Sequence, residues 1–290
     1  TFSKQDKTLV LSSLRSIRTE ASTICASAAR GQFPRSVSCF CGAASLLLLS
    51  RSVHCSLPTA ESEIKADPTC STVKLRGVQS AQMSYKTFEK LLPSPGTHWV
   101  GDGFHVQPVF ADLAFTNTIS PFLMFDYAAP KNFEPTSRKR GVGQHPHRGF
   151  ETVTIALQGE VEHGDSVGNK GVIGPGDVQW MTAARGIIHE EFHSAAFAKS
   201  GGMFEMMQLW VNLPAKHKMD PPRYQAILAA QIPAVPLEGG GAVRVIAGSY
   251  GGAAGPAKTF SPVEVWLIDL PEVGREVDLA LPDGGTALLF

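Results

Sequence analysis

Cysteine is absent from everything after residue 70: Cys25, Cys39, Cys41, Cys55 and Cys70 are the only five in 290 residues. The larger part of the chain therefore has no disulfide framework and no thiolate ligands for a metal or an iron–sulfur cluster. An excess of charge is missing as well, since 26 Lys and Arg face 26 Asp and Glu. Without a net basic field, non-specific binding to phosphate backbones loses its usual driving force. Long apolar runs are equally scarce. The run around Ala43–Leu49 is closed by Ser50 and Arg51, well short of the roughly 18 residues that a membrane-spanning helix requires. Neither direct nucleic-acid binding nor a membrane partner is expected.

The first 60 residues have their own composition: seven Lys or Arg, twelve Ser, and only Asp6 and Glu20 as acids. Basic, Ser-rich and acid-poor, this stretch reads as a disordered leader over residues 1–90, of the transit-peptide kind. That reading sends the protein to an organelle, plastid or mitochondrion, and otherwise to the cytoplasm or nucleus. A secretory signal fits less well, because its apolar run would start behind Arg30 and Arg35. A spurious leader is the competing reading, with Met83 as the initiator.

From about Thr97 the texture changes to short apolar runs broken every eight to twelve residues by Gly, Pro, Asn or Asp, the pattern of an all-β sandwich or barrel. Strands are expected over 152–157, 178–182 and 206–213. Residues 214–240 hold Pro214, Pro221, Pro222, Pro233 and Pro236 around a helical candidate at Tyr224–Ala230, which reads as a connection. Strands resume over 243–247 and 263–268, and the chain stops at Phe290 inside an apolar run, so a second unit over 226–290 is expected to be truncated.

Two stretches carry the chemistry. In Gln144-His145-Pro146-His147-Arg148-Gly149-Phe150-Glu151, an extended backbone turns residues i and i+2 to one face, about 6.6 Å apart, so both imidazoles can reach one ion. Pro146 restricts that strand to a start or an edge. In Gly186-Ile187-Ile188-His189-Glu190-Glu191-Phe192-His193, a strand turns His189, Glu191 and His193 to one face, whereas a helix pairs His189 with His193. Gly186 and the surrounding turn signals favour the strand, and both stay open at this point. Imidazole and carboxylate donors suit Fe(II), Mn(II), Ni(II), Cu(II) or Zn(II). His98, His105, His163 and His217 have no partner at ligand spacing and read as structural or solvent-facing. Trp180 and Met181 read as core, Gln179 as a pocket residue, Arg148 and Arg185 as loop braces, and Arg138-Lys139-Arg140 as a solvated turn.

The strings Pro121-Phe122-Leu123-Met124-Phe125-Asp126, His145-Pro146-His147-Arg148-Gly149-Phe150-Glu151-Thr152, Gly176-Asp177-Val178-Gln179-Trp180-Met181-Thr182-Ala183 and Gln208-Leu209-Trp210-Val211-Asn212-Leu213 together resemble the pirin family. Pirins are bicupins of the cupin superfamily. The resemblance covers residues 97–290 and implies a double-stranded β-helix jelly roll. It also implies an N-terminal cupin over 97–225 with the metal site, followed by the incomplete C-terminal one. It further implies one Fe2+ held by His145, His147, His189 and Glu191, with Glu151 as the alternative carboxylate, since general cupins draw theirs from the first motif. His193 departs from the family pattern and is expected to be exposed.

Two functions follow from the resemblance. One is quercetin 2,3-dioxygenase activity, which opens a flavonol with O2. Glu191 would then be both ligand and catalytic proton acceptor, its basicity raised by a dry apolar wall. The other is a non-catalytic, iron-dependent transcriptional co-regulator with a protein partner. A cupin that has lost its metal is a third possibility.

Overall fold

The computed structural model describes residues 96–270, 276–281 and 285–290, together with the strand segments 10–14, 35–38, 40–41, 45–50, 72–77, 84–85 and 90–92. Eleven strands of the first unit are divided between two sheets. They are β1 (His98–Val100), β2 (Phe104–Phe110), β3 (Phe122–Phe133), β4 (Gly141–His147), β5 (Phe150–Gln158), β6 (Val161–Asp165), β7 (Lys170–Ile173), β8 (Val178–Thr182), β9 (Ile187–His193), β10 (Gly202–Asn212) and β11 (Arg223–Ile227). Two short helices, Leu113–Thr118 and Ala195–Ser200, interrupt them. No helix among the described residues is long and apolar enough to cross a membrane.

The larger sheet has seven strands in the order β11-β8-β5-β10-β3-β2-β1, and the smaller has four in the order β4-β9-β6-β7. Neighbours are antiparallel throughout, and sequence-distant strands lie side by side. This is the jelly-roll architecture expected from the sequence. Pro146 falls on β4, an edge of the smaller sheet, where a missing amide donor leaves no ladder bond unmade.

Alternation along the larger sheet divides its side chains cleanly. One face presents Phe125, Val153, Ile155, Trp180 and Leu209, each no more than 1% exposed. These pack in one apolar cluster with Ile246, Val263, Val265, Leu267 and Leu288 of the C-terminal strands Ala242–Ala247, Val263–Asp269 and Gly285–Leu289. The two units therefore share a core. The opposite face looks across to the smaller sheet and lines the barrel interior.

The helix expected at Tyr224–Ala230 is instead strand β11, followed by a 3-10 turn at Ala229–Gln231. The spacing of Tyr224, Ile227 and Leu228 imitates a helical face, but ladder bonding to β8, with Met181 opposite Tyr224, outweighs so short a local preference. Segment 45–50 runs parallel to both Val263–Asp269 and Gly285–Leu289, and segment 72–77 runs parallel to Glu276–Leu281. The rest of residues 1–90, and with it the reading of a targeting leader, lies outside the described residues apart from the short segments named above.

Candidate metal centre

Strand β9 carries the site. Its burial alternates, with Ile187, His189, Glu191 and His193 inward and Ile188 exposed, so the segment is a strand and the helical pairing of His189 with His193 does not occur. The strand starts from a tight turn in which Gly186 has φ 135 and its N–H donates to the Ala183 carbonyl at 2.9 Å. Glycine tolerates that φ without the steric cost a side chain would bring.

Three inward rungs follow one another down the barrel. At the first, His145 of β4 stands opposite His189. The ring centroids of His145, His147 and His189 form a triangle of 4.8, 4.3 and 4.7 Å. One donor nitrogen from each lies within 4.8 Å of the other two. The His145 Nδ1–H donates to the Gly143 carbonyl at 2.8 Å, which leaves its Nε2 lone pair free. His189 is 1% exposed, and its Nε2 has no hydrogen-bond partner. Burial, followed by the neighbouring imidazoles, pushes His147 down to about 4 and His189 down to about 3, so both rings are neutral at pH 7, as ligands must be. Trp210 and Phe150 wall this rung, with Trp210 5.2 Å and Phe150 5.0 Å from the His147 ring.

At the second rung Glu191 is 4% exposed, and its carboxylate is held by three side chains of the larger sheet. Its Oε1 accepts from Thr154 Oγ1 at 3.1 Å and from Gln179 Nε2 at 2.9 Å, and its Oε2 accepts from Gln208 Nε2 at 3.0 Å. The Tyr224 hydroxyl donates to Gln179 Oε1 at 3.2 Å. Glu191 shares a 4.8 Å donor group with His189 and His163, but not one that includes His145 and His147. The structure thus brings His145, His147 and His189 into one group and sets Glu191 on the adjoining rung. The apolar wall expected around Glu191 is replaced by amides and hydroxyls.

At the third rung His193 is 2% exposed, correcting the expectation that it faces solvent. Its Nε2–H donates to the Gly103 carbonyl at 2.9 Å, and its ring stacks on Phe204 at 4.7 Å among Phe104, Phe133 and Phe197. It closes the apolar end of the barrel. Glu151 is excluded as the alternative carboxylate. It lies on the Val153 and Ile155 face of β5, opposite Thr154, where its Oε1 accepts from Thr182 at 2.6 Å. Arg148 and Arg185 are exposed. In the loop before β4, Lys139 pairs with Glu190 at 3.4 Å.

Several contributors lay outside the sequence reading. His163, expected to be structural or solvent-facing, is 1% exposed and points inward from β6 opposite Glu191. Thr154, Gln208 and Asp126 stand in register across β5, β10 and β3. Asp126 is partly buried, and burial raises it from 3.8 to about 6, partly offset by the charge of His98. A raised carboxylate binds its proton more tightly in the folded state, so its contribution is fully present below about pH 4 and is lost as pH climbs through 6. Asp126→Asn should therefore stabilise the protein at pH 8 by up to about 3 kcal/mol and leave stability at pH 4 unchanged, read as urea midpoints. An equal gain at both pH values would contradict this account of Asp126.

Comparison with known proteins agrees with this architecture. Residues 103–211 match the family model described as Pirin. The chain is 60% identical over 190 residues to a Pseudomonas aeruginosa protein named "Putative quercetin 2,3-dioxygenase", covering 65% of this chain and 66% of that protein. It is 38% identical over 190 residues to a pirin-like protein of Solanum lycopersicum, covering 66% and 60%. Among solved structures, quercetin 2,3-dioxygenase from Acinetobacter baumannii superposes with a TM-score of 0.58 at 60% identity, covering 60% of each chain. The chain thus spans slightly less than two thirds of these relatives' lengths.

Proposed function

Because the chain belongs to the pirin family, we propose that it is a metal-dependent dioxygenase acting on a flavonol-like substrate, with one Fe2+ held by His145, His147, His189 and Glu191. The observation that carries this reading is the triangle of imidazoles with the buried, unpartnered Nε2 of His189 beside it. A buried polar atom without a partner is costly unless something occupies it, and imidazole nitrogen is a good donor for a divalent transition metal.

When bound, the ion would supply a Lewis-acidic site for a flavonol hydroxyl as its anion, together with a meeting point for dioxygen. The protein's own residues do the rest. Glu191 Oε1 is saturated by Thr154 and Gln179, whereas Oε2 takes only Gln208 and retains a lone pair. Ligation and acceptance of the substrate proton would therefore compete for that one Oε2 lone pair, so Glu191 would serve the two roles in turn while the three donors hold its carboxylate plane. Trp210 and Phe150 give an aromatic substrate flat surfaces beside His147.

The test is oxygen uptake by protein loaded with Fe2+ and supplied with quercetin, measured beside metal-free protein. Consumption that depends on iron is the expected result. Iron bound without consumption would favour the co-regulator with a protein partner, and no bound metal would favour a cupin that has lost its site.

A further inference from the structure

We infer that Asp165 and His163 form a positioning relay that fixes the proton of His189 on Nδ1 and so keeps its Nε2 lone pair available to an ion. The inference rests on the proposal that His189 is a ligand.

The relay starts from a carboxylate whose surroundings leave it one role. Asp165 ends β6 directly across the ladder from His189, and its side chain is fully buried. Its Oδ1 accepts from the backbone N–H groups of Val167 at 3.0 Å and Asn169 at 2.9 Å, and its Oδ2 accepts from Asn169 Nδ2 at 2.8 Å. The remaining contact is His163 Nε2, 3.1 Å from Oδ2. A carboxylate fixed by four such contacts only accepts, so His163 carries its proton on Nε2.

When that is the only proton on the ring, His163 presents a lone pair at Nδ1, which lies 3.5 Å from Nδ1 of His189. Two lone pairs facing each other would repel. The contact is attractive only when His189 has its proton on Nδ1, and that choice exposes the lone pair at Nε2, the atom without a partner. Stacking of His163 on Tyr224, at 4.7 Å and 21°, holds the intermediate ring in plane. His145 reaches the same tautomer by a shorter route, through the Gly143 carbonyl. Partners that fix a ligand's tautomer commonly change metal affinity by about 10–100-fold.

The direct test reads the tautomers in 15N-labelled, metal-free protein by long-range 1H–15N correlation. The expected result is His163 protonated on Nε2 and His189 on Nδ1. In Asp165→Asn the amide nitrogen takes the place of Oδ2, where its N–H faces His163, so both rings should invert while His145 is unmoved. Cobalt(II) competition supplies a second readout. Asp165→Asn and His163→Phe should each weaken binding about 10–100-fold, and the double variant should be no weaker than the worse single one. A proton on Nε2 of His189 in the native protein, additive losses, or a loss in His163→Phe as large as in His147→Ala would overturn the relay. The last outcome would make His163 a ligand instead. If cobalt binds and the tautomers are wrong, only the relay fails. If the tautomers are right and cobalt does not bind, the metal proposal fails and the relay stands as a feature of the barrel.

Discussion

His147→Ala protein is expected to bind iron at least about 100-fold more weakly than the native chain and to lose all flavonol-dependent oxygen uptake. Among the described residues, His147 is one of three imidazoles at the first rung, its ring 4.7 Å from that of His189 and 4.8 Å from that of His145. Loss of a direct ligand should cost at least the upper end of what second-sphere changes cost. The fold should be little affected, because His147 sits at the end of an edge strand and is only partly buried. Elemental analysis after dialysis reads the result. Full iron content in the variant would remove His147 from the ligand set.

Glu191→Gln is expected to separate the two properties that His147→Ala loses together. A Gln side chain keeps an oxygen for Gln208 or Gln179 to meet, and either of those amides can turn over to face its N–H, so the rung stays packed. An amide oxygen can still ligate weakly but cannot accept a proton at neutral pH. Iron content should stay within about tenfold of native, whereas turnover should fall by about 100- to 10,000-fold, the usual contribution of a general base. Equal loss of metal in Glu191→Gln and His147→Ala would mean that Glu191 is a ligand with no separate role in proton transfer.

What could be read in the sequence is what lies within one strand. The period of two in His145-Pro146-His147 and in His189-Glu190-Glu191 put the right side chains on one face, and the proline forecast an edge strand. Contributions from other strands left less of a trace. Gln179 reads as a pocket residue from the sequence, but its convergence with Thr154 and Gln208 on Glu191, from β8, β5 and β10, depends on a ladder register set by the whole jelly roll. His163 and Asp165 do alternate, but nothing in the sequence says that β6 pairs with β9. For His193 the period of two shows which face it shares with His189 and Glu191, but the aromatic residues that bury it, Phe104, Phe133 and Phe204, come from β2, β3 and β10 and leave no local signal. Glu151 shows the converse: its motif position suggested a ligand, and its place on the opposite face of β5 from Thr154 rules that out.

Anomalous scattering at the iron edge, from crystals of the protein grown with ferrous iron, tests the metal centre most directly. The account predicts one peak about 2.0–2.2 Å from a nitrogen of each of His145, His147 and His189 and from Oε2 of Glu191. No peak in the barrel, or one coordinated by His163 in place of His145 and His147, would contradict it.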